Sequence, residues 1–291
     1  MSTDYTLAYG THATPEDGRC AMEWVSHLAG EPHRDDPACV SLVLRAFCTA
    51  LNDSLEQGPR QRLRPYLVRT IGTADDALDE SRSWMAMDWL IRVYTPTWLG
   101  LAHLTESAGW LAALSPVLGV ADLKTALEAM ELARREARTA WSAALGTPRA
   151  AQWAAAWAAG RSTAREAAWA SAGAAAWAAA RVAVGDIAGD RARAAARAAA
   201  GDAAATVCRS ARAGANRSAA RDATRAALAP TVERLQVSAF GLLDRMLPLV
   251  PLAPPVAQDD HEEALRRARS RLWEHDVQAG VAASAARRLA A

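Results

Sequence analysis

Residues 153–197 read WAAAWAAGRSTAREAAWASAGAAAWAAARVAVGDIAGDRARAAAR, and this stretch shows most clearly how the chain is built. From residue 141 to residue 225, the 22 positions spaced four apart carry tryptophan, arginine, glycine or alanine, apart from Leu145. Most of the positions between them are alanine, which has the highest helix propensity of all residues. The register therefore predicts a tetrapeptide-repeat, alanine-rich helical array.

A repeat of four residues is out of step with the α-helix. At about 100° per residue, the repeated position moves by roughly 40° around the helix axis with each tetrad. A buried face cannot persist beyond a few tetrads, so we expect short antiparallel helices that pack closely through alanine. The expected breaks lie at Gly160, Gly185, Gly189, Gly201 and Gly214.

Helix signals continue on both sides of the repeat, and strand signals are nearly absent. Thr14-Pro15 is typical of a helix start, Gly30 of a helix end, and residues 73–94 of one long helix. The fold is predicted to be an all-α multi-helix bundle whose core includes four tryptophans at helical spacing: Trp84, Trp89, Trp98 and Trp110. Three segments are expected, at 1–140, 141–229 and 230–291, either as separate parts or as one continuous domain.

Charge is almost balanced over the whole chain. The 291 residues include 33 basic and 32 acidic side chains, which removes a global argument for nucleic-acid binding. Between Arg149 and Arg225, however, 12 arginines stand against 5 carboxylates. Because the tetrad drift would spread these arginines around the helices, we expect most of them to be solvated. Nucleic acid is therefore a less favoured partner.

The sequence gives no sign of export or membrane insertion. The N-terminus has neither a basic nor an apolar leader region, and the longest uncharged stretch of the repeat, residues 167–180, is too short to span a bilayer. The four cysteines follow no CxxC spacing: Cys20, Cys39, Cys48 and Cys208. We expect a cytoplasmic protein with reduced thiols and no membrane partner.

The richest set of reactive side chains lies between residues 20 and 39. Thiolate, imidazole and carboxylate groups are ligands that zinc or iron accepts, and the candidates are Cys20, Glu23, His27, His33 and Cys39. Their spacing matches no standard zinc motif, so half-buried thiols and solvated polar groups are the alternative interpretation. A reactive Cys20 is a further hypothesis, although His27 lies two turns away and a histidine from another helix would have to act as its base.

An acidic cluster forms a second candidate site, made of Asp75, Asp76, Asp79 and Glu80. Its DDxxD pattern resembles that of class I terpene cyclases, which are all-helical enzymes in which such carboxylates hold Mg²⁺ against a diphosphate. The companion metal-binding triad of those enzymes is missing here. Acidic residues in the first turn of a helix are the alternative, because they interact favourably with the helix dipole.

Several short motifs carry a resemblance to known sequences: Cys20-Ala-Met-Glu23, Ala29-Gly30-Glu31, Asp36-Pro-Ala-Cys39 and Asn52-Asp53. With them, the chain resembles uncharacterised Ala/Trp/Arg-rich helical proteins of actinobacteria and their phages. That group has no established activity and supplies no functional residues. A weaker similarity, to alanine-rich helical proteins labelled as immunity proteins, would imply binding to a partner.

The sequence favours a non-enzymatic helical binding or scaffolding module that engages a protein partner or a second copy of itself. A repeated surface is visible, whereas no complete catalytic set is. The predicted partner surface is formed by Trp153, Trp157, Trp169 and Trp177. The alternative is a metal-dependent or thiol enzyme centred on residues 20–39, and the third is a Mg²⁺-dependent, terpene-cyclase-like enzyme at the acidic cluster.

Overall fold

A computed structural model describes residues 5–145, 154–207 and 216–247 of the chain. Regular structure in these ranges is helical throughout, and they contain no strand, which confirms the all-α fold. The described residues divide into two compact units, the first made of residues 5–78 and the second of residues 79–145, 154–207 and 216–247. Within the described ranges, no helix has the length and apolarity that a membrane crossing requires.

The first unit is built around four helices: α1 (Ala21–Ala29), α2 (Leu42–Ser54), α3 (Gln57–Arg60) and α4 (Arg64–Thr70). Helix α1 packs against α2 and α4. The core between them consists of large apolar side chains that are almost fully buried, including Leu7, Trp24, Leu28, Leu44, Phe47, Leu51 and Leu67. This unit is therefore held together by ordinary burial of large side chains.

Helix α1 starts later than the sequence predicts. It ends at Gly30 as expected, where a φ of 81° suits glycine. Its N-cap is Cys20, however, and Thr14 precedes only a short 3₁₀ turn, Pro15–Asp17. The start is fixed by Glu23, whose carboxylate accepts a hydrogen bond from the backbone N–H of Cys20 and closes a capping box.

The second unit contains eight described helices: α5 (Asp79–Trp89), α6 (Thr95–Leu101), α7 (Thr105–Ala113), α8 (Val120–Leu145), α9 (Ala154–Ala168), α10 (Ala174–Ala183), α11 (Ile187–Val207) and α12 (Arg217–Met246). A π-helical turn, Leu90–Tyr94, joins α5 to α6, and another, Trp169–Gly173, joins α9 to α10. The segment boundaries expected after residues 140 and 229 fall inside α8 and α12. The three sequence segments thus differ from the two units.

Alanine forms most of the core around α11. This helix packs against α6, α8 and α9, while α9 also packs on α12 and α10 packs on α5. The side chains that α11 buries are mainly alanine: Ala192, Ala195, Ala196, Ala199, Ala200, Ala203, Ala204 and Ala205. Methyl groups on several sides of one helix allow its neighbours to approach from several directions. The predicted close packing of alanine-rich helices is present here.

The predicted helix breaks are mostly wrong. Gly160, Gly189 and Gly201 lie inside helices, Gly185 does lie between α10 and α11, and Gly214 lies outside the described residues. Helices α11 and α12 have 21 and 30 residues, so the tetrads do not set helix length.

Two of the glycines inside α11 serve packing instead of helix termination. A Cβ at Gly189 would lie 2.6 Å from the carbonyl oxygen of Val184, and one at Gly201 would lie 3.0 Å from Cγ of Arg165. Glycine is therefore needed at these positions for close contact, and a helix tolerates it there because burial around it offsets its low propensity.

Three of the four tryptophans predicted to lie in the core are buried, namely Trp84, Trp89 and Trp98. The prediction for Trp110 is wrong, because its side chain is 49% exposed. Helix α7 buries Ser107 and Leu111, which are four residues apart on one face. Trp110 lies about 100° around the helix from Leu111 and so falls outside that face.

Candidate functional site

The polar groups at the start of α1 form what we call the Glu23 cluster: Glu23, His12, His33 and the backbone of Cys20. Glu23 is fully buried. Its Oε1 accepts a hydrogen bond from the backbone N–H of His12 at 2.6 Å, and its Oε2 accepts one from the backbone N–H of Cys20 at 2.7 Å. The Nδ1 atom of His12 lies 2.8 Å from Oε2. The carboxylate thus ties the N-terminal segment to α1.

These contacts also determine the acidity of Glu23. Burial by itself would raise the pKa of Glu23, but the hydrogen bonds from the backbones of His12 and Cys20 outweigh it. The pKa of Glu23 is therefore lowered, and the carboxylate is held in its charged form.

The five predicted metal ligands are divided among separate partners. The Nε2 atom of His33 lies 3.0 Å from the carbonyl oxygen of His12, but 4.0 Å from Oε1 of Glu23. The ring of His27 contacts Trp24 edge-on, at a centroid distance of 5.5 Å. The backbone N–H of Cys39 donates to Glu31. In the part of the chain that the structure describes, no three His, Cys, Asp or Glu side chains are grouped to hold a metal ion.

The three described cysteines lack the acidity of reactive thiols. Burial raises the pKa of Cys20, Cys39 and Cys48 to about 12 in each case, and Cys208 lies outside the described residues. Since the thiolate is the nucleophile, thiols with these pKa values remain almost wholly protonated at neutral pH. The geometry does not favour a reactive Cys20.

The four acidic residues of the cluster do not lie on one helix. The helix predicted for residues 73–94 begins at Asp79, so Asp75 and Asp76 lie in the preceding turn, where Ala77 has a φ of 58°. Asp79 lies 3.7 Å from the buried guanidinium of Arg82. Oε1 of Glu80 accepts a long hydrogen bond, 3.5 Å, from the indole of Trp84.

The contacts of Asp79 and Glu80 indicate which of the two interpretations of the acidic cluster the structure fits. Each carboxylate faces a neighbour within the first turns of α5, which fits the alternative interpretation of an acidic helix start.

A groove of about 930 Å³ lies in the second unit, between α8, α9, α10 and α11. We call it the tryptophan–arginine groove, and its side walls are formed by Trp141, Trp157, Trp169 and Trp177 together with Arg161, Arg165 and Arg197. All seven of these residues occupy the repeated tetrad position. Alanines lie between them, so large flat rings face space that small side chains leave open.

The indole rings are arranged in two pairs. Trp141 and Trp157 have centroids 6.4 Å apart, and Trp169 and Trp177 meet edge-to-face at 5.9 Å. Trp141 is buried, whereas the other three are half-buried and keep part of their surface towards solvent. Aromatic rings in such pairs hold each other in place.

Guanidinium groups cover several of these rings. Arg197 lies 4.2 Å from the ring centroid of Trp169, and Arg161 lies 5.1 Å from that of Trp141. Arginine stacks well on indole because its planar cation is attracted by the ring quadrupole. These contacts place positive charge beside the aromatic walls.

One buried carboxylate supports two of the groove's cations. Asp202, on α11, is almost completely buried and forms ion pairs with Arg165 and, at 3.5 Å, with Arg161. Behind the groove, Arg193 pairs with Asp190 and donates to the carbonyl oxygen of Val184. Arg193 is buried and is the exception among the described arginines of the repeat, most of which are exposed as expected.

The base of the groove is built around Tyr94. Its hydroxyl donates a hydrogen bond to the carbonyl oxygen of Ala168 at 3.0 Å, and its ring fills the space that a Cβ at Gly173 would need, 2.7 Å from Cζ. Burial raises the pKa of Tyr94, and the nearby charge of Arg197 opposes this only in part. The neutral phenol therefore acts as a fixed support for the turn between α9 and α10.

That turn contains a sharp change of direction. Ala172 has a φ of 73° and Ser171 a ψ of 33°, both outside the helical region. The bend allows Trp169 and Trp177 to face each other, although they are eight residues apart in sequence. The sequence analysis did not predict this break, because neither glycine nor proline occupies the left-handed position.

Of the predicted partner surface, Trp157, Trp169 and Trp177 come together in the groove, and Trp153 lies outside the described residues. The predicted site residues did not include Trp141, Arg161, Arg165, Arg197 or Tyr94. The tetrad register could have indicated the first four, because they share it with the tryptophans. Tyr94 carried no such signal.

Comparison of the chain with protein families, with characterised proteins and with solved structures found no match.

Proposed function

We propose that the protein is a binding module and that the tryptophan–arginine groove is its binding site. The observation that carries this proposal is the convergence of three half-buried indoles and three guanidinium groups on one groove of about 930 Å³. Small-molecule sites typically occupy ~300–1,000 Å³ and combine mostly apolar walls with a few polar groups. The groove has this size and this composition.

The packing of the groove supports a prearranged site. Its cations are stacked on rings or paired with Asp202, and Tyr94 with Gly173 fixes the turn that brings Trp169 and Trp177 together. Groups held before binding lose little conformational freedom when a ligand arrives, and this increases affinity. The groove therefore suits recognition by preformed surfaces.

The contacts of the other candidate groups also favour a binding role over the two enzymatic alternatives. Both oxygens of Glu23 accept structural hydrogen bonds, and Cys20 is a protonated thiol at neutral pH. Metal-dependent or thiol chemistry at residues 20–39, with zinc or iron, stays a prediction, as does Mg²⁺ chemistry at the acidic cluster. Recognition of a protein partner or a second copy also stays a prediction.

The test fills the groove without removing any of its contacts. Ala194 is exposed and lines the groove, so Ala194→Trp should occupy it, whereas Ala226→Trp adds the same ring at an exposed site on α12. Ligand-observed NMR of a mixed fragment set should show fragments that bind the wild-type protein and the Ala226→Trp variant but not the Ala194→Trp variant. Absence of bound fragments, or binding that survives Ala194→Trp, would contradict the proposal.

A further inference from the structure

The buried polar atoms around the groove are unbalanced towards hydrogen-bond donors. Among the described residues, the buried side-chain atoms without a hydrogen-bond partner include Nε1 of Trp141 and Nε of Arg161, both on groove-lining residues, and Nε of Arg193 behind it. All three atoms carry N–H groups. A buried donor without an acceptor is unfavourable, because burial removes its hydrogen bonds to water. The groove thus has donors for which this part of the chain provides no acceptor.

The charges of the groove are unbalanced in the same direction. Among the lining residues, three arginines (Arg161, Arg165 and Arg197) stand against two carboxylates (Glu166 and Asp190), which leaves one net positive charge. Asp202 is shared by two of the arginines, and Arg193 takes Asp190.

Arg197 is the lining arginine that pairs with none of these carboxylates. It stacks on Trp169 and forms no ion pair within the described ranges, and its side chain is exposed. Arg197 is therefore the cation best placed to meet a negative group on a ligand.

The free surface beside Arg197 is flat and aromatic. Trp157, Trp169 and Trp177 keep part of their rings exposed, and Ala194 and Ala198 leave room next to them. Indole faces and edges attract planar conjugated rings more strongly than saturated chains of equal area. A ligand that uses both features needs a flat ring and an anionic group at its edge.

We propose that the groove binds a small planar organic anion, with its conjugated ring among Trp157, Trp169 and Trp177 and its carboxylate or similar group on Arg197. This inference rests on the proposed binding function of the same groove and specifies its ligand class. The single net charge fits a monoanion, and the volume of about 930 Å³ fits a ligand of one to three fused rings.

The experiment compares naphthoate with three probes: naphthylmethanol and naphthylmethylamine replace its carboxylate by a neutral and a cationic group, and decahydronaphthoate keeps the carboxylate on a saturated ring system. Calorimetric titration of the full chain at low salt should give naphthoate about tenfold higher affinity than the neutral and cationic probes, as expected for a charge-assisted hydrogen bond. Decahydronaphthoate should also bind about tenfold more weakly, since it carries the charge on the same carbon skeleton without the flat ring.

Variants then assign the charge preference to one residue. Arg197→Gln should lower naphthoate affinity about tenfold and leave naphthylmethanol affinity unchanged, while Arg197→Lys should retain most of the preference for the anion. Arg221→Gln, an exposed arginine at the same tetrad position on α12, is the matched control and should change nothing. Because Arg197 and Arg221 are exposed, both variants should fold, and circular dichroism checks this.

Several outcomes would overturn the inference. Equal affinity for naphthoate and naphthylmethanol would contradict the requirement for an anionic group, and equal affinity for naphthoate and decahydronaphthoate would contradict the requirement for a planar ring. If the Arg197→Gln variant still prefers naphthoate to naphthylmethanol, the anionic group binds a residue other than Arg197. In each case, fragment binding that is lost in the Ala194→Trp variant would still support the groove as a binding site. Failure of the proposed ligand class is therefore distinguishable from failure of the proposed function.

Discussion

The Glu23 cluster of the first unit and the tryptophan–arginine groove of the second both bury charged groups, but they do so in opposite ways. In the cluster, one carboxylate accepts hydrogen bonds from two backbone N–H groups and faces the ring of His12. In the groove, several guanidinium and indole N–H groups surround too few acceptors. The carboxylate of the cluster has its hydrogen-bond donors within the chain, whereas the groove has N–H donors that lack an acceptor among the described residues.

This difference indicates which buried charges support the stability of the fold and which are available for binding. A buried charge that is fully hydrogen-bonded has little left to offer a ligand, and its removal mainly destabilises the fold. In the groove, Arg197 is exposed and forms no ion pair within the described residues, so it can meet a negative group on a ligand. We therefore expect changes in the cluster to affect folding and changes in the groove to affect binding.

The largest effect is expected from Glu23→Ala. This variant leaves the N–H groups of His12 and Cys20 without their acceptor, which should lower the free energy of unfolding by about 3 kcal/mol. Glu16→Ala, which removes an exposed carboxylate, should change it by less than about 0.5 kcal/mol. Urea unfolding of both variants measures the difference, and equal stability of the two would show that the cluster is dispensable.

A pair of glycines tests the base of the groove. Gly173→Ala would bring a Cβ within 2.7 Å of the Tyr94 ring, so stability should fall by about 2 kcal/mol. Gly109→Ala, in the exposed part of α7 with no atom within 4 Å, should instead raise stability by up to about 1 kcal/mol. Thermal unfolding compares the two, and effects of the same sign would contradict the close packing at Tyr94.

Asp202→Asn should change both the stability of the protein and the affinity of the groove for an anion. Neutralising this carboxylate removes the ion pairs of Arg161 and Arg165, which should lower stability by about 1 kcal/mol. It also adds one positive charge to the groove, so naphthoate affinity should rise by roughly threefold while that of naphthylmethanol stays constant. Calorimetry and urea unfolding of the same variant check both results. A fall in naphthoate affinity would argue against the role of groove charge.

The smallest effect concerns acid pH. The pKa of Glu23 is lowered in the folded protein, so its contribution to stability is present above the unfolded value of 4.5 and is lost as the pH falls through the folded value. One such group contributes a slope of at most about 1.4 kcal/mol per pH unit. Urea unfolding between pH 3 and pH 6 should show a shallower acid slope for Glu23→Gln than for wild type, and identical slopes would contradict the lowered pKa.

Much of the fold followed from residue pattern alone. The alanine content, helical spacing and lack of strand signals predicted an all-α protein, and Gly30 ended α1 as expected. The breaks were harder to predict, since Gly189 and Gly201 look like helix breakers in sequence but are packing positions in α11. Whether a glycine ends a helix depends on what lies against it, and sequence does not contain that information.

The groove was only partly predictable. The tetrad drift of roughly 40° per step spreads Trp157, Arg161 and Arg165 over about 80°, so they remain on one side of a helix as short as α9. The sequence indicated the tryptophans but not that arginines of the same register would stack on them. Their meeting depends on the turn at Ser171 and Ala172, which has no local sequence signal.

The sequence by itself determined the helical class and the residue types of the repeat, because propensity and periodicity act between neighbours along the chain. Tertiary structure alone decided that Glu23 would contact His12 and the backbone of Cys20, and that Trp141, Tyr94 and Arg197 would meet around one groove. Such contacts join residues that are distant in sequence. They depend on how alanine-sized side chains let whole helices approach, which local pattern does not specify.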